Sequence, residues 1–264
     1  ELVENSLDAG ADTIEVSIFA GGTEFIRVRD NGSGMDEANA RMAILRHATS
    51  KIVKADDLLT LHTLGFRGEA LPSIASVSHF TLLTRETGAE FATRITLDGG
   101  ENLDVETMGA DVGTTITVKD LFYNVPARRK FLRTVNTEGR YISDILSKIA
   151  LSRPDVHLVL TRDDKEVINT PGSGDLVDTI ESLYGKEVTK ELLTVDYAQD
   201  GITLKGFISR PTLLKGTRQW QTLFFDKHYS NTTLERKTDF VKLAEAFGMP
   251  GYRAMNMAEL KEVL

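Results

Sequence analysis

Two polar side chains at the start of the sequence, Glu1 and Asn5, stand four residues apart in the segment ELVENSLDAGA (1–11). In a helix this spacing places both on one face, one turn apart. A carboxylate held there can orient or deprotonate a water molecule. An amide oxygen one turn further can ligate Mg²⁺, a cation that prefers oxygen ligands and keeps several waters. An ordinary solvated helix face carries the same residue types, so the pair alone indicates a site only weakly.

A second candidate site is the segment DNGSGM (30–35), which follows a predicted strand over 25–29. The carboxylate of Asp30 could accept a hydrogen bond from an exocyclic amine such as that of adenine. Gly32 and Gly34 would let the backbone approach a planar ring closely. Asp-Asn-Gly is also common in plain turns, and by itself the segment favours that interpretation.

The segments HATSK (47–51) and GFRGEAL (65–71) enclose a polar, aperiodic stretch that predicts a long loop or lid. The second segment stands just before a predicted helix over 70–75. Backbone N–H groups at a helix start, with a cation nearby, form a phosphate cradle. A hinge with solvated charges is the alternative. The candidate phosphate-side residues are Thr49, Ser50, Lys51, Gly65, Phe66, Arg67 and Gly68.

A further candidate is a threonine hydroxyl in the segment Gly113-Thr114-Thr115, at the start of a predicted strand. It could support a purine contact. A threonine that simply favours a strand is the plainer interpretation.

The elements that would position these residues alternate between strand groups and helices. Period-2 patterns predict strands over 13–19, 25–29, 80–84, 89–97, 103–108 and 114–119, and an amphipathic pattern predicts a helix over 138–151. We expect an α+β sandwich, with a mixed, mostly antiparallel sheet covered by helices on one face, followed by a partial second α+β domain. The predicted divisions are 1–171, 176–217 and a helical tail over 218–264, with a linker near 171–174. Neither a P-loop nor a strand-linked G-x-G-x-x-G motif is present.

The composition limits the environment and the partners. The chain has 264 residues, a net charge of −8 and no cysteine, which fits a reducing cytosol. Its apolar runs are all shorter than the roughly 20 residues of a membrane span, so we expect no membrane partner. The negative net charge provides no global attraction for DNA, although a local basic surface remains open.

The order of these motifs resembles that of the GHKL ATPases, and within them the MutL family of DNA mismatch repair. The segment DLFYNVPARRKFL (120–132) is the most specific part of the resemblance, which covers about residues 1–215. The resemblance implies binding of ATP and Mg²⁺ and ATP hydrolysis. Glu1 would be the general base, Asn5 the Mg²⁺ ligand and Asp30 the adenine contact, supported by Gly32, Gly34 and Thr115.

The resemblance also implies partners. In this family ATP closes the lid, two ATPase domains form a homodimer, and the signal passes from the mismatch recognition protein MutS to a repair endonuclease and a helicase. The physical basis would be a lid ordered by contacts to the γ-phosphate, which nucleotide can bias between two states.

The sequence departs from this family at both ends. A candidate general base at residue 1 leads us to expect a fragment that lacks a preceding helix. From about residue 218 the chain instead resembles acetolactate synthase catalytic subunits, most clearly in DFVKLAEAFGMPGYR (239–253). We expect no thiamine chemistry, because the metal motif of that family is absent. The alternatives are therefore a nucleotide-binding module without turnover, another GHKL ATPase, and, on the tail alone, an acetolactate synthase fragment.

A cluster of four cations, Arg128, Arg129, Lys130 and Arg133, follows the most specific segment. It could be a phosphate-binding patch for DNA or a solvated helix start. Charge runs usually form solvated faces, which favours the second interpretation.

Overall fold

The computed structural model describes residues 1–45, 69–199, 202–213, 221–225 and 228–229. The predicted lid over 47–68 and most of the predicted helical tail over 218–264 lie outside these ranges.

Twelve strands and seven α-helices lie in the described ranges. The first part of the chain contains α1 (Leu2–Asp8), β1 (Thr13–Phe19), β2 (Phe25–Asp30), α2 (Glu37–Ala43), α3 (Ala70–Ala75), β3 (His79–Arg85), β4 (Ala92–Asp98), β5 (Glu101–Met108) and β6 (Gly113–Lys119). A short 3₁₀ turn, Ala20–Gly22, connects β1 to β2. The second part contains α4 (Pro126–Arg129), α5 (Val135–Ser152), β7 (His157–Arg162), β8 (Lys165–Asn169), α6 (Leu176–Tyr184), α7 (Lys186–Thr189), β9 (Leu192–Gln199), β10 (Ile202–Ser209), β11 (Phe224–Phe225) and β12 (His228–Tyr229).

The first eight strands form one sheet in the order β5-β4-β3-β6-β2-β1-β7-β8. Every neighbouring pair is antiparallel except β1 and β7, which run parallel with Ile14 opposite Leu158. The prediction of a mixed, mostly antiparallel sheet is therefore confirmed. A parallel pair needs a long connection, and here it contains strands β2 to β6 and ends in the 18-residue helix α5, which leads into β7.

One face of the sheet is apolar because apolar side chains occupy every second position of its strands. In β1 the side chains of Ile14, Val16 and Ile18 are buried while those between them are half-buried. Helices α1 and α5 pack on this side of β1 and β7, and α2 and α3 pack on β3, β4 and β6. The fully buried aliphatic side chains contribute about 1.5–3 kcal/mol each. The helices therefore lie on one face, as predicted, and Arg27 and Arg29 of β2 are exposed on the other.

Local sequence signals set the helix ends. Asp36, the N-cap of α2, accepts a hydrogen bond from the Asn39 backbone N–H at 2.7 Å. Asp175 caps α6 in the same way through the Val177 N–H, at 2.7 Å. The short helices α4 and α7, four residues each, were not predicted, because four residues are too few to display a period.

The segment 171–174 was predicted as a linker, and its backbone packs against the residues just before β7 and at its start. The Gly174 N–H donates to the Pro154 carbonyl at 2.9 Å. Gly172 has φ +67°, and a Cβ there would lie 2.6 Å from the His157 nitrogen. The predicted boundaries at 171 and 176 remain predictions.

Beyond this segment, β9 and β10 form a separate antiparallel pair. Internal contacts divide the chain into two units, Glu1–His228 and Tyr229–Leu264. Among the described helices, none combines the length and the apolar character that crossing a membrane requires.

Candidate functional site

Helix α1 carries the first pair of candidate residues. The Asn5 N–H donates to the Glu1 carbonyl at 2.9 Å, which places the two residues one helical turn apart, as predicted. Glu1 is exposed and Asn5 is half-buried. The α-amino group of Glu1 lies 3.4 Å from a carboxylate oxygen of Glu4. The opposite face of α1 is fixed in the core by Val3 and Leu7.

The carboxylate of Asp30 ends β2 in a buried position, 8% exposed. One oxygen, Oδ1, accepts the Gly32 N–H at 3.0 Å and the Thr114 N–H at 3.2 Å. The other, Oδ2, accepts the Ser6 hydroxyl at 2.7 Å. Three separate elements thus hold this side chain: helix α1, the loop after β2, and strand β6.

Ser6 was not among the predicted site residues. It is 3% exposed on α1, one residue after Asn5. The available sequence signal is a serine three residues after Val3 and next to Leu7, on the apolar side of the predicted helix, but its partner is 24 residues away and could not be identified from local pattern.

The two predicted glycines lie where chain segments approach each other. A Cβ on Gly32 would lie 2.9 Å from both the Cβ and the carbonyl oxygen of Ala9. Gly34 has φ +66°, and a Cβ there would overlap the Arg85 carbonyl. These glycines therefore allow the loop to pack tightly between the end of α1 and the end of β3.

The threonine of β6 that lies next to Asp30 is Thr114, whereas the predicted site residue is Thr115. The register places Thr114 opposite both Asp30 and Thr84, whereas Thr115 pairs with Arg29 and Leu83. Directly paired residues share a face, so Thr115 points to the opposite side of the sheet. The structure does not bring Thr115 to Asp30, and Thr114 takes that place.

The hydroxyl of Thr84 connects these segments. It is 1% exposed and lies 3.0 Å from the Thr114 hydroxyl. It accepts the Met35 N–H at 2.9 Å and lies within donating distance, 3.2 Å, of the Gly113 carbonyl. Thr84 was missed, although it is the polar end of the inward-facing series Phe80, Leu82, Thr84 of β3.

The turn that follows α1 is tied to the end of β2 by Asn31. Its side-chain oxygen accepts the backbone N–H groups of Asp12 and Thr13 at 3.1 and 3.0 Å, and its amide donates to Asp12 at 2.6 Å. The Asn31 amide, and after it the Thr13 hydroxyl, lower the pKa of the Asp12 carboxyl from its ordinary value. These hydrogen bonds fix the position of the end of α1 relative to Asp30.

The predicted phosphate-side residues lie outside the described ranges, and their roles stay predictions. They are Thr49, Ser50, Lys51, Gly65, Phe66, Arg67 and Gly68. In the part of the chain that the structure describes, no three His, Asp or Glu residues converge as a metal cluster. A single amide ligand such as Asn5 is compatible with Mg²⁺, which takes most of its ligands from water and phosphate.

The donor and acceptor balance at Asp30 suits an amine-bearing ligand. A carboxylate offers about four lone-pair positions, and three of them are used by Gly32, Ser6 and Thr114. One acceptor position remains on a buried side chain. The site can therefore take one further N–H donor, which is what an exocyclic amine on a purine provides.

Comparisons with known proteins place the chain among ATPase domains and DNA repair proteins. A family model described as histidine kinase-, DNA gyrase B- and HSP90-like ATPase matches residues 1–112. The DNA mismatch repair protein MutL of Desulforudis audaxviator is 45% identical over 229 residues, which are 87% of this chain and 40% of that protein. MutL of Symbiobacterium thermophilum is 47% identical over 89% of this chain and 37% of its own length. The chain thus spans about two fifths of these relatives.

A second family model, the C-terminal TPP-binding domain of thiamine pyrophosphate enzymes, matches residues 190–264. This agrees with the predicted resemblance of the tail, but the match begins well before residue 218 and includes β9 and β10. The two kinds of similarity therefore overlap along the chain.

Similarity to a solved structure covers most of the chain. The Aquifex aeolicus MutL ATPase domain complexed with ADP superimposes with a TM-score of 0.70 and 30% identity, over 92% of this chain and 84% of that one. Together with the buried carboxylate of Asp30, the glycine loop that follows it and the eight-stranded sheet, this similarity shows that the chain belongs to the MutL family of GHKL ATPase domains.

Proposed function

We propose that this chain binds ATP, with the adenine amine donating to the free acceptor position of Asp30. The observation that carries the proposal is the carboxylate itself: it is buried, held by three donors and one acceptor position short of saturation. The Aquifex aeolicus relative, which was solved with ADP, supports the same ligand class. Gly32 and Gly34 would form the loop beside the adenine ring. The hydroxyl groups of Thr114 and Thr84 would lie next to the edge of the ring that faces Asp30.

Hydrolysis would use the exposed end of α1. Glu1 would act as general base on a water, and Asn5 would supply one oxygen to Mg²⁺. The helical turn between them supports this division, because it puts both groups on the same side of α1 while Val3 and Leu7 fix the helix from the other side. Mg²⁺, when bound, would neutralise charge on the phosphates.

The wider role would be that of the nucleotide-driven module of a bacterial, cytoplasmic mismatch repair protein. We propose that nucleotide closes the segment 47–68 as a lid, with Thr49, Ser50, Lys51 and Gly65–Gly68 on the phosphate side. Closure would promote a homodimer of ATPase domains and couple the mismatch recognition protein MutS to a repair endonuclease and a helicase. The family relationship supports this proposal.

A matched pair of variants tests the enzymatic part. Glu1→Gln removes the proposed base, and Glu4→Gln removes another carboxylate of the same helix, whose contact is the α-amino group of Glu1 and not its carboxylate. We expect Glu1→Gln to lower the rate of radiolabelled ATP hydrolysis with Mg²⁺ by roughly 10²–10⁴-fold, with ADP affinity unchanged. Glu4→Gln should keep both. Equal turnover by Glu1→Gln and the parent chain would exclude Glu1 as the base.

The same experiment separates an enzyme from a binding module. Calorimetric binding of ADP without detectable ATP turnover in the parent chain would leave a nucleotide-binding module. Absence of nucleotide binding by a chain that melts cooperatively would refute the proposal as a whole.

A further inference from the structure

The loop after β2 begins with Asn31-Gly32, the only place in the sequence where a glycine follows an asparagine. Asparagine is one of the thermally labile residues. It is most labile before glycine, because no Cβ shields the backbone nitrogen that attacks its side chain. Asn31 is exposed and Gly32 is buried. The dipeptide is therefore a candidate for spontaneous deamidation, and its contacts decide whether the reaction can proceed.

The reaction is an attack of the Gly32 backbone nitrogen on the Cγ atom of Asn31. The nitrogen gives up its proton to hydroxide and forms a bond to Cγ. The Cγ–Nδ2 bond breaks, and Nδ2 takes a proton from water and leaves as ammonia, so that a succinimide ring remains. A water molecule then opens the ring at either of its carbonyls, which yields aspartate or isoaspartate. Water is the only co-reactant, and nothing is oxidised or reduced.

In the folded chain the attacked amide is held by three hydrogen bonds. Nδ2 of Asn31 donates to the Asp12 carboxylate at 2.6 Å. Oδ1 accepts the backbone N–H groups of Asp12 and Thr13 at 3.1 and 3.0 Å. A rotation that carries Cγ onto the Gly32 nitrogen would break these bonds. The amide therefore has to leave residues 12–13 before it can react.

The attacking nitrogen is also engaged. The Gly32 N–H donates to Oδ1 of Asp30 at 3.0 Å. Removal of its proton would leave an amide anion next to a carboxylate, and a neighbouring like charge disfavours the charged form. A Cβ on Gly32 would lie 2.9 Å from both the Cβ and the carbonyl oxygen of Ala9, so this part of the backbone is closely packed. The nitrogen is thus neither easily deprotonated nor free to move.

The same contacts join the end of α1 to the end of β2. On either side of Gly32, the Asn31 N–H donates to the Thr13 carbonyl at 3.3 Å, and the Ser33 N–H donates to the Ala9 carbonyl at 3.0 Å. Proteins open locally in cooperative units, at a lower cost than global unfolding. Separation of the end of α1 from β2 would release the amide and the nitrogen together.

We propose that Asn31 is the deamidation site of this chain, protected in the folded state by its contacts to Asp12 and Thr13 and open to attack when the end of α1 separates from β2. The rate of ammonia loss then measures how often these two elements separate. The reaction does not depend on the proposed nucleotide site.

The product would prevent the same contacts from forming again. An aspartate at position 31 places a second carboxylate where Nδ2 now donates to Asp12 at 2.6 Å, and like charges at that distance repel. An isoaspartate inserts a methylene group into the backbone between the N–H groups of residues 31 and 32, which donate to Thr13 and Asp30. Both products would loosen α1 and displace Asp30. Any effect on nucleotide binding rests on the proposed function.

The test incubates the chain at mildly alkaline pH in water enriched in heavy oxygen, folded or in concentrated urea, and locates the incorporated oxygen by peptide mass spectrometry. In urea, Asn31 should be the first asparagine to react. The folded chain should lose ammonia from Asn31 at least about 10-fold more slowly, because only the locally opened fraction reacts. This comparison needs no variant.

A pair of variants tests the contact itself. Asp12→Ala should accelerate deamidation of the folded chain by roughly 10- to 150-fold, up to the rate in urea, because a hydrogen bond to a charged acceptor is lost. Asp12→Asn keeps an acceptor oxygen and should accelerate it less. The matched control is Asp104→Ala, an exposed carboxylate on β5, which should leave the rate unchanged. Thermal melts establish that each variant is folded.

Three results would overturn the proposal. The first is equal deamidation of Asn31 in the folded and the unfolded chain, and the second is equal acceleration by Asp12→Ala and Asp104→Ala. The third is faster reaction in the folded chain, which would mean that the two N–H groups at Oδ1 of Asn31 act as an oxyanion site and promote attack. ADP binding is measured separately by calorimetry. A parent chain that fails to bind ADP would refute the proposed function, whereas these rates would still decide the role of Asn31.

Discussion

Replacement of Asp30 by asparagine changes one atom of the proposed adenine contact while keeping the local framework. The amide oxygen can still accept the Gly32 and Thr114 N–H groups, which now meet at Oδ1. The NH₂ group would stand where Oδ2 stands and can donate to the Ser6 hydroxyl, 2.7 Å away. Ser6 can then donate to the Leu2 carbonyl, to which its hydroxyl already lies at 3.3 Å.

The substitution removes the one acceptor position of Asp30 that no protein donor uses. In the parent chain this position can accept an N–H from an adenine amine; in Asp30→Asn a second amide proton points there instead, and two donors face each other. A hydrogen bond to a charged acceptor contributes about 1.5–3 kcal/mol net. We therefore expect ADP affinity to fall by roughly 10- to 150-fold.

The assay compares ADP with IDP, in which a 6-oxo acceptor replaces the 6-amino donor. The parent chain should prefer ADP, and Asp30→Asn should lose most of that preference, because its amide can donate to the oxo group. Thermal melts of both proteins establish that each is folded. Equal ADP affinity in the two folded proteins, or an unchanged ADP-to-IDP ratio, would refute the assignment of Asp30.

Other predictions address the neighbouring contacts. Thr114→Val should weaken ADP binding several-fold and destabilise the fold by about 1 kcal/mol, whereas Thr115→Val, on the opposite face, should leave ADP binding by calorimetry unchanged. Gly34→Ala should lower the free energy of unfolding, measured by urea titration, by more than about 1 kcal/mol, because Gly34 has a positive φ and an added Cβ would overlap the Arg85 carbonyl. Asn31→Ala should raise the pKa of Asp12 toward its ordinary value, seen in a carboxyl NMR titration. The lowered pKa contributes stability that is present above the ordinary value and lost as pH falls through the folded value.

Two controls sharpen the glycine prediction. Gly88 also has a positive φ, +88°, but an added Cβ would meet nothing within 4 Å. Gly88→Ala therefore measures the conformational cost alone. If Gly34→Ala is no more destabilising than Gly88→Ala, the close approach to the Arg85 carbonyl has no energetic consequence.

Local periodicity was enough to predict most of the sheet, and it failed where the relevant information is long-range. The alternation of Ile14, Val16 and Ile18 predicted β1 to the residue. The parallel neighbour β7 begins 144 positions after Thr13, at His157, and nothing local specifies that pairing. The contact between Ser6 and Asp30 likewise depends on how α1 docks on the sheet.

The placement of Thr115 differs for another reason, because the sequence contained the means to predict which threonine of β6 lies beside Asp30. Ile116 and Val118 are buried, so the inward face of β6 comprises even-numbered residues and includes Thr114. The preference for Thr115 came from the family resemblance, and the period-2 rule applied to the same strand would have chosen its neighbour. For the candidate site, strand parity was the stronger guide.

The hydrogen bonds of Asp30 imply that the proposed nucleotide site and the core depend on each other. Burial of a carboxylate is costly unless it is well hydrogen-bonded, and its three donors come from α1, the loop after β2 and β6. Helix α1 is held by Val3 and Leu7, so the apolar core positions the Ser6 donor. A change that loosens α1 would therefore leave the carboxylate short of a donor and displace Glu1 and Asn5 at the same time. Binding and hydrolysis should accordingly be lost together in core variants of α1, and separately in variants of its exposed face.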